Sequence, residues 1–122
     1  MHVEFAAVAR PSWIARLTGK NVRGFKYSVS NQAIRHTLKN HGNAKVEAAR
    51  GQLAVTPDDF RQLPAIVRTG ALRSAGPHRS PHQRVVVTNE IEGLGYYAVF
   101  EVKTGKERLE LWTMRKKVGA WR

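Results

Sequence analysis

The feature that most constrains this chain is an alternation of apolar and polar residues, with a period of two, through residues 84–114. RVVVTN from Arg84, GYYAVFEVK from Gly95 and RLELWTM from Arg108 each read as a β-strand. The last two predict a hairpin. With Thr104 and Gly105 as a two-residue turn, Tyr97 faces Trp112, Glu101 faces Arg108 and Tyr96 faces Thr113. Alternation then gives the hairpin two faces. Tyr96, Ala98, Phe100, Val102, Leu109 and Leu111 form an apolar face that helices must cover, and Tyr97, Val99, Glu101, Arg108, Glu110 and Trp112 form a mixed one. The expected class is α+β, with N-terminal helices packed on a C-terminal antiparallel meander.

The upstream sequence supplies the helices. From Ser30, a good N-cap, Ile34 and Leu38 recur at i, i+4, and Gly42 suits a left-handed C-cap. Residues 43–55 read as a connection holding Arg50, Gly51 and a short extended LAV. In TPDDFRQLPAIV, Thr56 caps a second helix, Pro57 takes its first position and Asp58 and Asp59 face the positive end of its dipole. Pro64 is expected to end or bend that helix, leaving Ile66 and Val67 for the core. Residues 1–26 carry little pattern beyond SWIARLTG, a short helix or strand closed by Gly19. SAGPHRSPHQ, residues 74–83, reads as an exposed loop whose cations can touch substrate. Its His78 and His82 lack the carboxylate or cysteine company of a metal site. At 122 residues the chain has room for one domain, spanning 1–122.

Charge narrows the partners. Twenty-one Lys and Arg against 9 Asp and Glu give +12, more than solubility needs. Residues 5–46 carry eight basic side chains and no acid, and residues 61–89 are again free of acids. Such asymmetry suits a surface that tracks phosphates, with salt-sensitive binding as the consequence. An anionic membrane is the weaker fit, because no basic amphipathic helix carries an aromatic face and no apolar run reaches the ~18 residues of a span. The absence of cysteine excludes disulfide and thiolate chemistry. The first residues lack the basic start and long apolar stretch of a secretory signal.

AIRHTLKNHGN, residues 33–43, holds the chemistry-bearing pair His36 and His41. Five residues apart on a helix, they are separated by ~140° and cannot be paired metal ligands on one face. His41 follows Ile34 and Leu38 onto the buried side at the helix end, while His36 points outward beside Gln32, Ala33, Lys39 and Asn40. Ordinary structure accounts for either: a helix-ending histidine bonding the last carbonyls, and a solvated surface residue. The spacing alone does not choose.

SNQAIRHTLKNHG, then GQLAVTPDDFRQLPAIV, then a strand ending in LELWTM, together resemble the phage-associated branch of the barnase/EndoU/colicin/RelE superfamily of RNases, over about residues 28–115, leaving 1–27 unassigned. The terminal triplet here is Thr113, Met114, Arg115, without the aromatic that the branch carries. The resemblance implies helices on a four- or five-stranded antiparallel sheet and metal-independent cleavage of RNA, often tRNA, with no cofactor. It also implies a toxin or phage effector acting in the cytoplasm, held in check by an acidic immunity or antitoxin protein.

Such cleavage uses the 2′-hydroxyl as nucleophile, so it needs a base, an acid and cations around the phosphate. By resemblance, His36 and His41 are the histidine pair of the first helix, one or both serving as general base or acid, with His41 favoured by geometry if only one does, and Thr113 is a terminal-strand hydroxyl. Tyr96, expected to face Thr113, joins the catalytic candidates. Charge adds Arg35, Lys39, Arg115 and Lys116 as phosphate contacts. Each has an ordinary rival: Thr113 as a β-favouring residue, Glu101 as half of an ion pair with Arg108 rather than a base, Tyr97 and Trp112 as an aromatic cross-strand pair rather than base platforms. A non-catalytic RNA-binding module and an inactive phage or virion interaction domain remain the competing readings.

Overall fold

The alternating segments become the centre of a six-stranded sheet. The computed structural model describes residues 1–76 and 79–122. Its strands are β1 (His2–Ala7), β2 (Lys26–Ser30), β3 (Ala71–Ser74), β4 (Arg84–Ile91), β5 (Leu94–Lys103) and β6 (Arg108–Val118), in the spatial order β1-β2-β6-β5-β4-β3. The helices are α1 (Pro11–Thr18), α2 (Asn31–His41), α3 (Ala44–Ala49) and α4 (Leu63–Thr69), with a 3₁₀ turn at Pro57–Gln62. β4 to β6 form the expected antiparallel meander, and β3, which the sequence did not announce, adds to it antiparallel to β4. β2 extends it by pairing parallel with β6, and β1 closes the edge antiparallel to β2, so the sheet is mixed and larger than the resemblance implied. No helix among the described residues is long and apolar enough to cross a membrane.

One face of the sheet makes the core. Val85 and Val87 of β4, Tyr96, Ala98, Phe100 and Val102 of β5, and Leu109, Leu111 and Met114 of β6 pack under Ile14 of α1, Ala33 of α2 and Leu63, Ile66 and Val67 of α4. Tyr27 meets Phe100 edge-on at 4.8 Å, a geometry that adds ~1 kcal/mol to the burial of the two rings. The 3₁₀ turn is fastened to this face through a buried polar knot. Asp59 accepts from the Thr56 amide at 2.7 Å, completing a capping box, and from Tyr96 Oη at 2.9 Å and Lys116 Nζ at 2.7 Å. Burial raises the Asp59 pKa, but these donors outweigh it and hold the carboxyl below its ordinary value. Pro64 does not end a helix here: the 3₁₀ turn stops at Gln62, and Pro64 sits in the first turn of α4, where its missing N–H costs nothing. Gly42 is not left-handed either, with φ −100°. Its Cβ would run into the Leu38 carbonyl, so close approach is what requires glycine.

The β5–β6 register departs from the expected one in two ways, and both shape the site. The connection is a 3₁₀ turn at Thr104–Lys106 closed by Glu107 at φ 53°, longer than two residues, so Lys103 pairs with Arg108 and Glu101 with Glu110. A β-bulge then intervenes. Phe100 pairs with Leu111 but Val99 with Thr113, leaving Trp112 as the extra residue. One extra residue turns every later side chain to the opposite face. Strict alternation would send Thr113 and Arg115 to the core and Lys116 to the mixed face. The bulge instead buries Met114 and Lys116 in the core and delivers Thr113 and Arg115 to the open face. Tyr96 pairs with Lys116 and Tyr97 with Arg115, so neither the Tyr96–Thr113 nor the Tyr97–Trp112 pairing forms.

Candidate active site

α2 lies along β6, beyond the short parallel pairing with β2 that ends at Glu110. Its N-terminus is fixed by Ser30 Oγ, which accepts from the Ala33 amide at 3.1 Å. Ala33, Thr37 and His41, spaced four apart, form its buried stripe. His41 therefore ends the helix against the sheet, as the sequence predicts. Its Nδ1 lies 3.0 Å from Oε1 of Glu47, a fully buried carboxylate on α3. Asn43 caps α3 by accepting from the Val46 amide, and this places Glu47 beneath the imidazole. Glu47 Oε2 accepts from Arg50 Nη1 at 2.8 Å, and Arg50 also reaches the Asn40 carbonyl. A carboxylate oxygen accepts, so His41 Nδ1 donates in this bond and Nε2 is the ring nitrogen left outside it.

His41 lines a cleft of about 430 Å³ together with His36, Asn40, Arg50, Gln52, Trp112, Thr113 and Arg115. His36 does not point away into solvent. It is half-buried, with its ring centroid 4.6 Å from that of the bulged Trp112 and Asn40 Nδ2 near its Nδ1. The ~140° between the histidines holds, but Trp112 leans from the sheet to meet the flank of α2, so one cleft receives both. Burial, helped by the positive charges of His41, Lys39 and Arg84, lowers the His36 pKa below 6.5.

Three buried polar atoms of this cleft have no partner among the described residues: Thr113 Oγ1, Gln52 Oε1 and Arg115 Nε. Leaving such an atom unsatisfied costs ~1–3 kcal/mol, so their convergence marks a place kept for a ligand or solvent rather than for packing. Gln52 is pinned there because its own amide donates to the Glu47 carbonyl and the next residue, Leu53, bridges to Lys116 of β6.

Of the residues expected from sequence, His36, His41, Thr113 and Arg115 come together. Tyr96 and Lys116 lie on the other face of the sheet, tied to Asp59, and line none of this cleft. Arg35 and Lys39 are exposed on α2 and line it neither. Glu101 is not paired with Arg108, which holds Glu110 instead. It accepts from Ser80 and Arg84 and lies near Lys103. Burial raises the Glu101 pKa, yet these partners keep it below its ordinary value, an ion-paired carboxylate rather than a poised base. Sequence reasoning missed Glu47, Arg50, Gln52 and Arg84. A signal existed for the first two: NAKVEAAR is a capped helical turn with Glu and Arg spaced i, i+3. His78 lies outside the described residues. Among those described, no group of three or more His, Asp or Glu side chains converges as metal ligands would.

No curated protein and no solved structure gives a significant match to the chain. One family does: residues 4–120 match the family described as phage-Barnase-EndoU-ColicinE5/D-RelE like nuclease3, which takes in the N-terminal strand and helix as well as the histidine helix and the meander. With a sheet that buries one face, and a basic cleft on the other where two histidines converge, the chain belongs to this family of phage-associated nucleases.

Proposed function

We propose that the protein is an endoribonuclease, with tRNA as its preferred substrate class, that cuts by transesterification through the 2′-hydroxyl without a metal ion. The observation that carries this reading is the pair of histidines in one basic cleft, one of them oriented by a buried carboxylate through its far nitrogen. His36, whose lowered pKa leaves it unprotonated at neutral pH, takes the proton of the 2′-hydroxyl. The O2′–P bond forms, the P–O5′ bond breaks, and His41 Nε2–H gives its proton to the departing 5′-oxygen. The products are a 2′,3′-cyclic phosphate and a 5′-hydroxyl. Arg115 and Arg50 neutralise the charge gathering on the non-bridging oxygens of the pentavalent phosphate, and the Thr113 hydroxyl donates to one of those oxygens. Gln52 Oε1, an acceptor, suits a ribose hydroxyl.

An enzyme with this activity is dangerous where it is made. As a toxin or phage effector, it acts on RNA in the cytoplasm and needs an acidic immunity or antitoxin protein in the producing cell, matched to its +12 charge. The test is incubation of tRNA and of total RNA with the protein in EDTA, beside His36→Ala and His41→Ala. Cleavage should fall by about 10²–10⁴ in each variant. Full activity in both variants removes these histidines from the mechanism, and salt-sensitive binding without any cleavage replaces the enzyme reading with that of an RNA-binding module.

A further inference from the structure

The open face carries a second feature that proton transfer does not use. Because the longer turn and the bulge shift the register, Tyr97 and Trp112 are not a cross-strand aromatic pair, and each meets a cation instead. The Arg84 guanidinium lies 4.8 Å from the Trp112 ring, and that of Arg115 lies 5.5 Å from the Tyr97 ring. Beyond Tyr97 the row continues into Trp121, 5.0 Å away, with Lys117 Nζ 5.0 Å from the indole. Two hydrogen bonds fasten this tail to the sheet: Trp121 Nε1 donates to the Gly95 carbonyl at 2.9 Å, and Arg73 donates to the Trp121 carbonyl at 2.8 Å. Tyr97 and Trp112 line one recess of about 180 Å³ with Val99, Thr113, Arg84 and Arg115. That recess shares Thr113 and Arg115, with their unpartnered Oγ1 and Nε, with the histidine cleft.

Rings alternating with cations are how proteins hold an unpaired strand, since stacking needs a base face that a duplex hides and the cations follow the phosphates. We propose that this row binds single-stranded nucleic acid. Trp112 and Tyr97 each stack one base, splayed to either side of a phosphate held by Arg115 and Thr113. The site therefore takes loops, ends and unpaired segments and refuses duplex. The position of the scissile phosphate rests on the ribonuclease reading; binding of the strand does not.

The test uses a short 2′-deoxy oligonucleotide, which has no 2′-hydroxyl to react, as a single strand and as its blunt duplex, titrated while tryptophan fluorescence is read. The single strand should quench the emission and bind at least tenfold tighter than the duplex. Trp112→Leu and Tyr97→Leu should each weaken it on the order of tenfold, while Tyr97→Phe, which keeps the ring, should match the wild type. Trp112 is 40% exposed, so its variant carries the result if Tyr97→Leu fails to fold. Equal affinity for duplex, or wild-type affinity in the folded leucine variants, overturns the proposal. Binding of the deoxy strand by a protein that never cuts RNA refutes the ribonuclease reading and supports this one.

Discussion

Glu47 is where a single substitution is most informative, because it lines none of the cleft and yet holds the imidazole proposed to donate the proton. Its fully buried carboxylate accepts one bond from His41 at 3.0 Å and one from Arg50 at 2.8 Å. In Glu47→Ala, Arg50 turns to water: it is 49% exposed, so its share of the loss is under ~1 kcal/mol. His41 Nδ1 has no such escape, and stranding it costs ~1–3 kcal/mol, with the cavity added. The sum is about 3 kcal/mol. For a chain of this length that lowers Tm by roughly 10–15 °C in a calorimetric or dichroism melt. Glu47→Gln keeps the volume and one acceptor, so its stability loss should be about half as large. Activity is the sharper readout: the neutral amide no longer enforces the Nδ1–H form, and kcat/KM should fall about 10–100-fold, in kcat rather than KM. A Glu47→Gln enzyme with wild-type kcat and wild-type Tm would refute the orienting role.

Further outcomes follow from the same geometry. If His36 is the base, kcat/KM rises with pH as it loses its proton, with a midpoint below 6.5; Trp112→Leu, which wets the ring, should move that midpoint upward, and a limb that persists unchanged in His36→Ala assigns it elsewhere. Because the folded-state pKa is the lower one, the unfolded chain takes up this proton first, so the same group subtracts stability as pH falls from 6.5 toward its folded value. Asp59, also depressed, contributes stability that is complete above pH 3.8 and is lost as pH falls through its folded pKa; Asp59→Asn should flatten that part of a denaturation-versus-pH curve. Tyr96→Phe should cost about 1–2 kcal/mol in a urea titration through its lost bond to Asp59 and leave RNA cleavage untouched. Thr113→Val removes a buried hydroxyl that has no partner among the described residues, so it should leave Tm unchanged or raise it while lowering kcat about 10²-fold.

The parts legible in the sequence are those fixed by local chemistry. Ser30 and Thr56 cap where capping residues should, and β4 to β6 lie where alternation puts them. The face of each β5 residue was also readable, because side-chain parity within one strand does not depend on its partner. What failed depends on geometry that no residue type announces. Glu107 takes a left-handed conformation without being glycine, which lengthens the turn and slides the register. Trp112 gives no sign that it is a bulge, yet that one extra residue decides that Thr113 and Arg115, not Met114 and Lys116, share the cleft with the histidines. β1, β2 and β3 escaped because they are short, four to six residues, and carry no sustained apolar–polar alternation. Glu47 was hidden by the six-residue helix that carries it, too short for a clear apolar period.

In the proposed reaction a 2′-hydroxyl attacks under the control of His41 and His36. That step is tested most directly with a DNA strand containing a single ribonucleotide, incubated with the protein in EDTA and analysed by mass spectrometry. One cut is expected, immediately 3′ of the ribonucleotide, with a 2′,3′-cyclic phosphate on one fragment and a 5′-hydroxyl on the other, and its loss in His41→Ala. Cutting at deoxy positions, a 3′-hydroxyl product or an undiminished His41→Ala enzyme would contradict it.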